Sequence, residues 1–213
     1  MPNSRSIVSS LLAGRPPVIP VLHVENPEHA EALLDTLVEA GIRIVEVTLR
    51  SACGLDVIRR MLAANSGAVI GAGTITTAEQ FARVADAGAR FAVSPALTES
   101  LAEAARRHGL PYLPGVATPS EALAAREHGF YELKFFPFEL AGGVEWLRHV
   151  EPLYPDIRFC PTGGIDARNA GEVLSCANVF AVGGAYPAPK PLVDAGDWRA
   201  IGALAREAVQ AVA

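Results

Sequence analysis

Lys134 lies in the run Tyr131-Glu132-Leu133-Lys134-Phe135-Phe136-Pro137, whose neighbours are large, apolar and strand-forming. Desolvation disfavours the ammonium form of a buried lysine and favours the neutral amine, the form that attacks a ketone carbon. Covalent imine chemistry is the reading this suggests; the competing one is a lysine whose stem lies on apolar surface while its head reaches water. Glu46, in Glu46-Val47-Thr48-Leu49-Arg50, is the second candidate. Period-2 alternation puts Ile42, Ile44, Glu46 and Thr48 on one strand face, and Glu132, Lys134 and Phe136 on one face of another. If the two strands oppose each other, Glu46 and Lys134 meet. They then form either a buried ion pair, with both charges desolvated at a cost, or an imine lysine with a proton shuttle acting directly or through water. The planar fork of Arg50 suits a substrate carboxylate, or else a surface salt bridge. Thr74 offers a hydroxyl to the same carboxylate, or caps a helix.

Two glycine pairs, Gly163-Gly164 and Gly183-Gly184, follow the last two strand candidates. In parallel barrels this is where exposed backbone N–H groups and short helix N-termini bind phosphate. Arg15, just before the first strand candidate, is a further candidate phosphate contact. The histidines show no metal-ligand spacing, which disfavours a metal-dependent aldolase or epimerase. Cys53, Cys160 and Cys176 are widely spaced with no Cys-x-x-Cys pair, so they are read as reduced thiols, with Cys160 a small core filler.

These residues need elements to position them. Short β-branched runs alternate with Ala- and Leu-rich amphipathic segments along the whole chain. The strand candidates are Val18 to Val24, Ile42 to Leu49, Ala68 to Gly71, Phe91 to Ser94, Tyr112 to Gly115, Glu132 to Phe136, Ile157 to Pro161 and Val179 to Gly183. Helix candidates include Glu28 to Ala40, Thr77 to Ala87, Thr98 to His108 and Pro119 to His128, followed by the stop signals Gly41, Gly88, Gly109 and Gly129. Repeats of roughly 26 residues predict a single α/β domain over residues 1–213, a (β/α)8 TIM barrel whose bottom is capped by a short N-terminal helix near Ser4 to Ala13. An open doubly wound sheet would need a glycine-rich turn after its first strand, and His23-Val24-Glu25-Asn26-Pro27 has none.

The chain has 213 residues, 50% hydrophobic and 19% charged, with a net charge of -5. That balance fits a soluble enzyme and argues against nucleic-acid binding. Neither a signal-peptide pattern nor an eighteen-residue apolar run occurs, so no membrane association and a cytoplasmic location are expected.

The segments Glu46-Val47-Thr48-Leu49-Arg50, Gly71-Ala72-Gly73-Thr74, Lys134-Phe135-Phe136-Pro137 and Arg158-Phe159-Cys160-Pro161-Thr162-Gly163-Gly164 together resemble one family, from about Val18 to the final helix. It is that of the 2-keto-3-deoxy-6-phosphogluconate aldolases, also called 2-dehydro-3-deoxyphosphogluconate or 4-hydroxy-2-oxoglutarate aldolases. The resemblance implies a homotrimeric class I aldolase of the Entner-Doudoroff pathway, with neither metal nor organic cofactor. It implies a keto-acid substrate cleaved to pyruvate and glyceraldehyde 3-phosphate. By the same resemblance Lys134 matches the Schiff-base lysine, Glu46 the acid/base, and Arg50 and Thr74 the carboxylate-binding groups. Phe136 matches the aromatic residue beside the imine, Pro95 is expected in the same pocket, and Gly163, Gly164, Gly183 and Gly184 match the phosphate turns. Where many members carry a hydroxyl residue after the last glycine pair this chain has Ala185, followed by Tyr186 where tryptophan is common. The lost donor gives weight to the shorter substrate 4-hydroxy-2-oxoglutarate. Other classes compatible with the residues are a sugar-phosphate isomerase or epimerase using Glu46 alone, and a non-catalytic phosphometabolite-binding barrel.

Overall fold

A computed structural model of the chain describes residues 8–212. Strands and helices alternate, as the change between period-2 and period-3.6 patterning requires. In chain order they are Val18–Leu22 (β1), Ala30–Glu39 (α1), Ile44–Thr48 (β2), Gly54–Ala63 (α2), Val69–Gly73 (β3), Ala78–Asp86 (α3) and Ala92–Val93 (β4). Glu99–His108 (α4), Tyr112–Leu113 (β5), Gly115–Val116 (β6), Pro119–Glu127 (α5), Glu132–Phe135 (β7) and Gly143–Val150 (α6) follow. The chain then runs through Arg158–Pro161 (β8), Ala170–Leu174 (α7), Val182–Gly184 (β9), Lys190–Ala195 (α8) and Trp198–Gln210 (α9).

Local chemistry fixes the helix ends. Thr77 with Gln80 and Thr118 with Glu121 form capping boxes, in which the threonine hydroxyl accepts a backbone N–H and the longer side chain reaches back to the cap. Gly41, Gly88, Gly109 and Gly129 follow α1, α3, α4 and α5 with positive φ, the stops their positions predict.

All the strand pairs are parallel. A six-stranded sheet, ordered β5-β4-β3-β2-β1-β9, forms a half-barrel, and β6-β7-β8 form a second sheet. The bridges Phe159↔Val179 and Thr162↔Gly183 link β8 to the β9 side. The single strand expected over Tyr112 to Gly115 is split at Pro114, which has no N–H to give to a ladder, although its carbonyl accepts from Lys134 N–H at 2.9 Å. The sequence periodicity thus yields a parallel α/β architecture, with its sheet in two ladders rather than one continuous eight-strand ring.

Alternate residues separate two cores. Val45, Val47, Leu133 and Phe135 face the helices, whereas Ile19, Ile44, Phe91, Val93, Leu113 and Cys160 fill the interior between the sheets. Part of the predicted N-terminal helix, Ser4 to Ile7, lies outside the described residues. Its described part is a 3-10 helix, Val8–Leu12, whose Val8 and Leu12 join the interior cluster. Ser9 N–H donates to the buried carboxylate of Glu132 at 3.0 Å, fastening this plug beneath β7. Interior packing thus fills the plugged end up to Cys160, which is in register with Lys134, and the opposite end stays open.

Candidate active site

The strands aim Glu46 and Lys134 at the same point from opposite sheets. Glu46 pairs in register with Val21 on one side and Gly71 on the other, while Lys134 pairs with Gly115 and Cys160. Lys134 Nζ lies 3.3 Å from Glu46 Oε1, with the two residues only 6% and 3% exposed. The ring of Phe136 stands 5.4 Å from Nζ to its centroid. Beside them the Cys160 thiol is pushed up to about 12 by burial, partly countered by the charge of Lys134. It stays protonated at neutral pH and is a filler, as expected, not a rival nucleophile.

Gly73 follows from Glu46. A Cβ at that position would lie 1.9 Å from Glu46 Oε1, so the carboxylate occupies space that only a glycine leaves open. The chain then turns through Thr74, a β-branched residue at φ +60, a left-handed conformation that costs such residues of order 1–3 kcal/mol. Thr74 does not cap α3, since Thr77 does.

These residues open into a cavity of about 420 Å³, within the range of small-molecule sites. Its floor is Glu46 and Lys134, and Thr48, Arg50, Thr74, Pro95 and Phe136 form its nearer walls. The Thr48 hydroxyl donates to the Leu22 carbonyl at 2.9 Å, and Arg50 Nε approaches Thr48 Oγ1 at 3.4 Å. Among the described residues no carboxylate lies within salt-bridge distance of Arg50. An exposed, uncompensated guanidinium above an amine and a carboxylate is suited to holding an anionic substrate.

The farther wall is the loop Thr162, Gly163, Gly164 and Ile165 with Gly184, Ala185 and Tyr186. Gly163 and Gly164 have φ +95 and +87, and the turn is pinned by Phe138 N–H to the Thr162 carbonyl and Glu139 N–H to the Gly163 carbonyl. Gly183 lies within β9 and does not line the cavity. A Cβ there would meet Thr162 Oγ1 at 2.4 Å, so it serves close packing. Ala185 offers no side-chain donor. The Tyr186 hydroxyl is buried without a hydrogen-bond partner, and burial, then the charge of Asp166, pushes the phenol up to about 12.

Two further placements differ from the sequence reading. Arg15 is not at this cavity: it sits at the amino-terminal end of β1 and lines a separate cavity with Ser10 and Arg90. A residue that precedes a parallel strand belongs to the end opposite the strand tips, and that geometry overrides its charge. Conversely Thr162, to which the sequence reading gives no role of its own, is buried and on the cavity wall. Its signal was strand parity, since it stands two residues beyond the inward-facing Cys160. Among the described residues no group of three or more His, Cys, Asp or Glu side chains is placed to hold a metal.

The chain is similar to known proteins along most of its length. The family model described as KDPG and KHG aldolase matches residues 9–204. A 2-dehydro-3-deoxy-phosphogluconate aldolase of Pseudoalteromonas atlantica is 44% identical over 92% of each chain. The KHG/KDPG aldolase of Escherichia coli is 41% identical over 99% of this chain and 98% of its own. The crystal structure of KDPG aldolase from Legionella pneumophila, with pyruvate captured as a covalent carbinolamine intermediate, superposes with a TM-score of 0.89 at 37% identity, covering 93% of this chain and 96% of that one.

Proposed function

The chain belongs to the KDPG and KHG aldolase family, and from that membership we propose that it is a class I aldolase in which Lys134 forms an imine with a 2-keto acid. The observation that carries this reading is the buried Lys134–Glu46 contact of 3.3 Å at the floor of an open cavity. A buried pair with the cavity above it gives the amine a ketone to attack and the carboxylate a proton to move.

Lys134 Nζ adds to the carbonyl carbon of the keto acid and expels water, leaving a protonated imine. Glu46 removes the proton of the 4-hydroxyl, the bond between carbons 3 and 4 breaks, and its electron pair flows into the imine to give an enamine and a free aldehyde. Protonation of carbon 3 and hydrolysis release pyruvate and restore the amine. Arg50 and Thr74 hold the carboxylate and so orient the ketone carbon, while Phe136 and Pro95 shape the wall. For 2-dehydro-3-deoxy-6-phosphogluconate, the Gly163–Gly164 turn with Gly184 receives the phosphate through backbone N–H groups.

One observation favours 4-hydroxy-2-oxoglutarate as a second substrate: at position 185 the distal wall presents an alanine, which has no side-chain donor for phosphate. Specificity constants for both keto acids, read by pyruvate release from the native protein and from Ala185→Ser, test the choice. A gain of about tenfold for the phosphorylated acid alone is expected in Ala185→Ser, one charge-assisted hydrogen bond's worth. An unchanged ratio would show that the backbone N–H groups suffice.

We further infer that the two sheets close into one eight-strand barrel, supported by the β8–β9 bridges and by β5 and β6 flanking a single proline. The homotrimer rests on the family resemblance and the cytoplasmic location on the sequence pattern, and they are open to sedimentation and fractionation respectively.

A further inference from the structure

A second cavity of about 420 Å³ lies at the end of the fold opposite Lys134, between the plug Val8–Leu12, the carboxyl end of α2 and the starts of β3 and β4. Arg15 and Arg90 line it, and no aspartate or glutamate does. Arg43 stands against the same wall, with Nη1 3.4 Å from the Ser66 carbonyl. Arg60, Arg106, Arg126, Arg148 and Arg168 each have a carboxylate within 4 Å. No carboxylate among the described residues lies that close to Arg15, Arg43 or Arg90. Arg15 is also under-satisfied. Its Nη1 donates to the Leu11 and Ala13 carbonyls, while its Nε–H is buried without an acceptor.

The α2 carboxyl end carries about half a negative charge, against which stand three full positive charges. The surplus is cationic, in a chain whose net charge is -5.

We propose that this basal cavity binds a small phosphate-bearing anion, held by the guanidinium forks of Arg90 and Arg15 with Arg43 at its edge. Planar forks match phosphate oxygens two at a time, and the cavity is large enough for a phosphorylated metabolite, not only an inorganic ion. The site is independent of the aldolase reading, since it shares no residue with the cavity above Lys134.

Isothermal titration of the full chain with inorganic pyrophosphate at low ionic strength tests it, on the native protein and on Arg90→Gln and Arg43→Gln. Both altered side chains are exposed, and unchanged melting temperatures confirm folding. The native protein is expected to bind, with each substitution weakening that binding about tenfold or more and leaving pyruvate release in the absence of pyrophosphate unchanged. No binding to the native protein overturns the proposal. So does binding that neither substitution weakens, which would put the anion elsewhere, the Gly163–Gly164 turn included.

Discussion

Thr74 holds a conformation that its side chain resists, at φ +60 on the wall of the catalytic cavity. Strain at such a place persists when the position of the residue matters more than its stability. Thr74→Gly is expected to raise the melting temperature, because relief of strain exceeds by about 1 kcal/mol the entropy that a glycine adds to the unfolded chain. The same change removes the hydroxyl from the carboxylate site, so KM for the keto acid should rise. A lower melting temperature would show that Thr74 is not strained. At this scale the sequence disclosed residue types well and their surroundings less well. Lys134 and Glu46 were legible because a charge in an apolar, strand-forming run has few structural uses. The left-handed turn at Thr74 was not, since nothing in Gly-Thr-Ile demands a positive φ at the threonine.

Strands β2 and β3 show why element packing has to be seen to be understood. Glu46 pairs with Gly71, and its carboxyl group leans over Gly73, where a methyl group would come within 1.9 Å. The Gly73→Ala protein should therefore displace Glu46 while leaving Lys134 in place. Cleavage is expected to fall about 10²- to 10⁴-fold, the range for losing a general acid or base, while borohydride still traps pyruvate on the lysine. Equal loss of trapping and cleavage would mean that the substitution disturbs the whole floor. The alternation of strands and helices was readable because period 2 and period 3.6 are hard to confuse over full repeats. Strand ends moved by one to three residues, since pairing partners rather than propensity set them. The split at Pro114 needed the neighbouring ladder to be visible. Gly183 reads in sequence like its neighbour Gly184, and only the approach of Thr162 shows that it is a packing glycine inside a strand.

For the molecule as a whole, three buried groups link stability to pH. Burial pushes Cys160, Tyr112 and Tyr186 each up to about 12. The unfolded chain releases these protons first, from roughly pH 8.5 for a thiol and 10 for a phenol. Their contribution is complete below those values and is lost as pH rises toward 12, so the melting temperature should fall across that window. Tyr186→Phe should flatten the fall, and a melting temperature that rises with alkalinity would contradict the burial. Polarity was legible at this scale too: chemistry lies at the carboxyl ends of the strands, and the amino-terminal end carries a plug. Arg15 follows the same polarity: preceding β1, it lies at the end opposite the strand tips and away from the catalytic cavity. The central claim, that one buried amine forms an imine with the substrate, is tested most directly by reducing the protein with borohydride in the presence of pyruvate and mapping the modified peptide by mass spectrometry. The expected result is one pyruvyl adduct per chain, on Lys134, with cleavage abolished. Full cleavage without an adduct, or an adduct on the other lysine, Lys190, would contradict it.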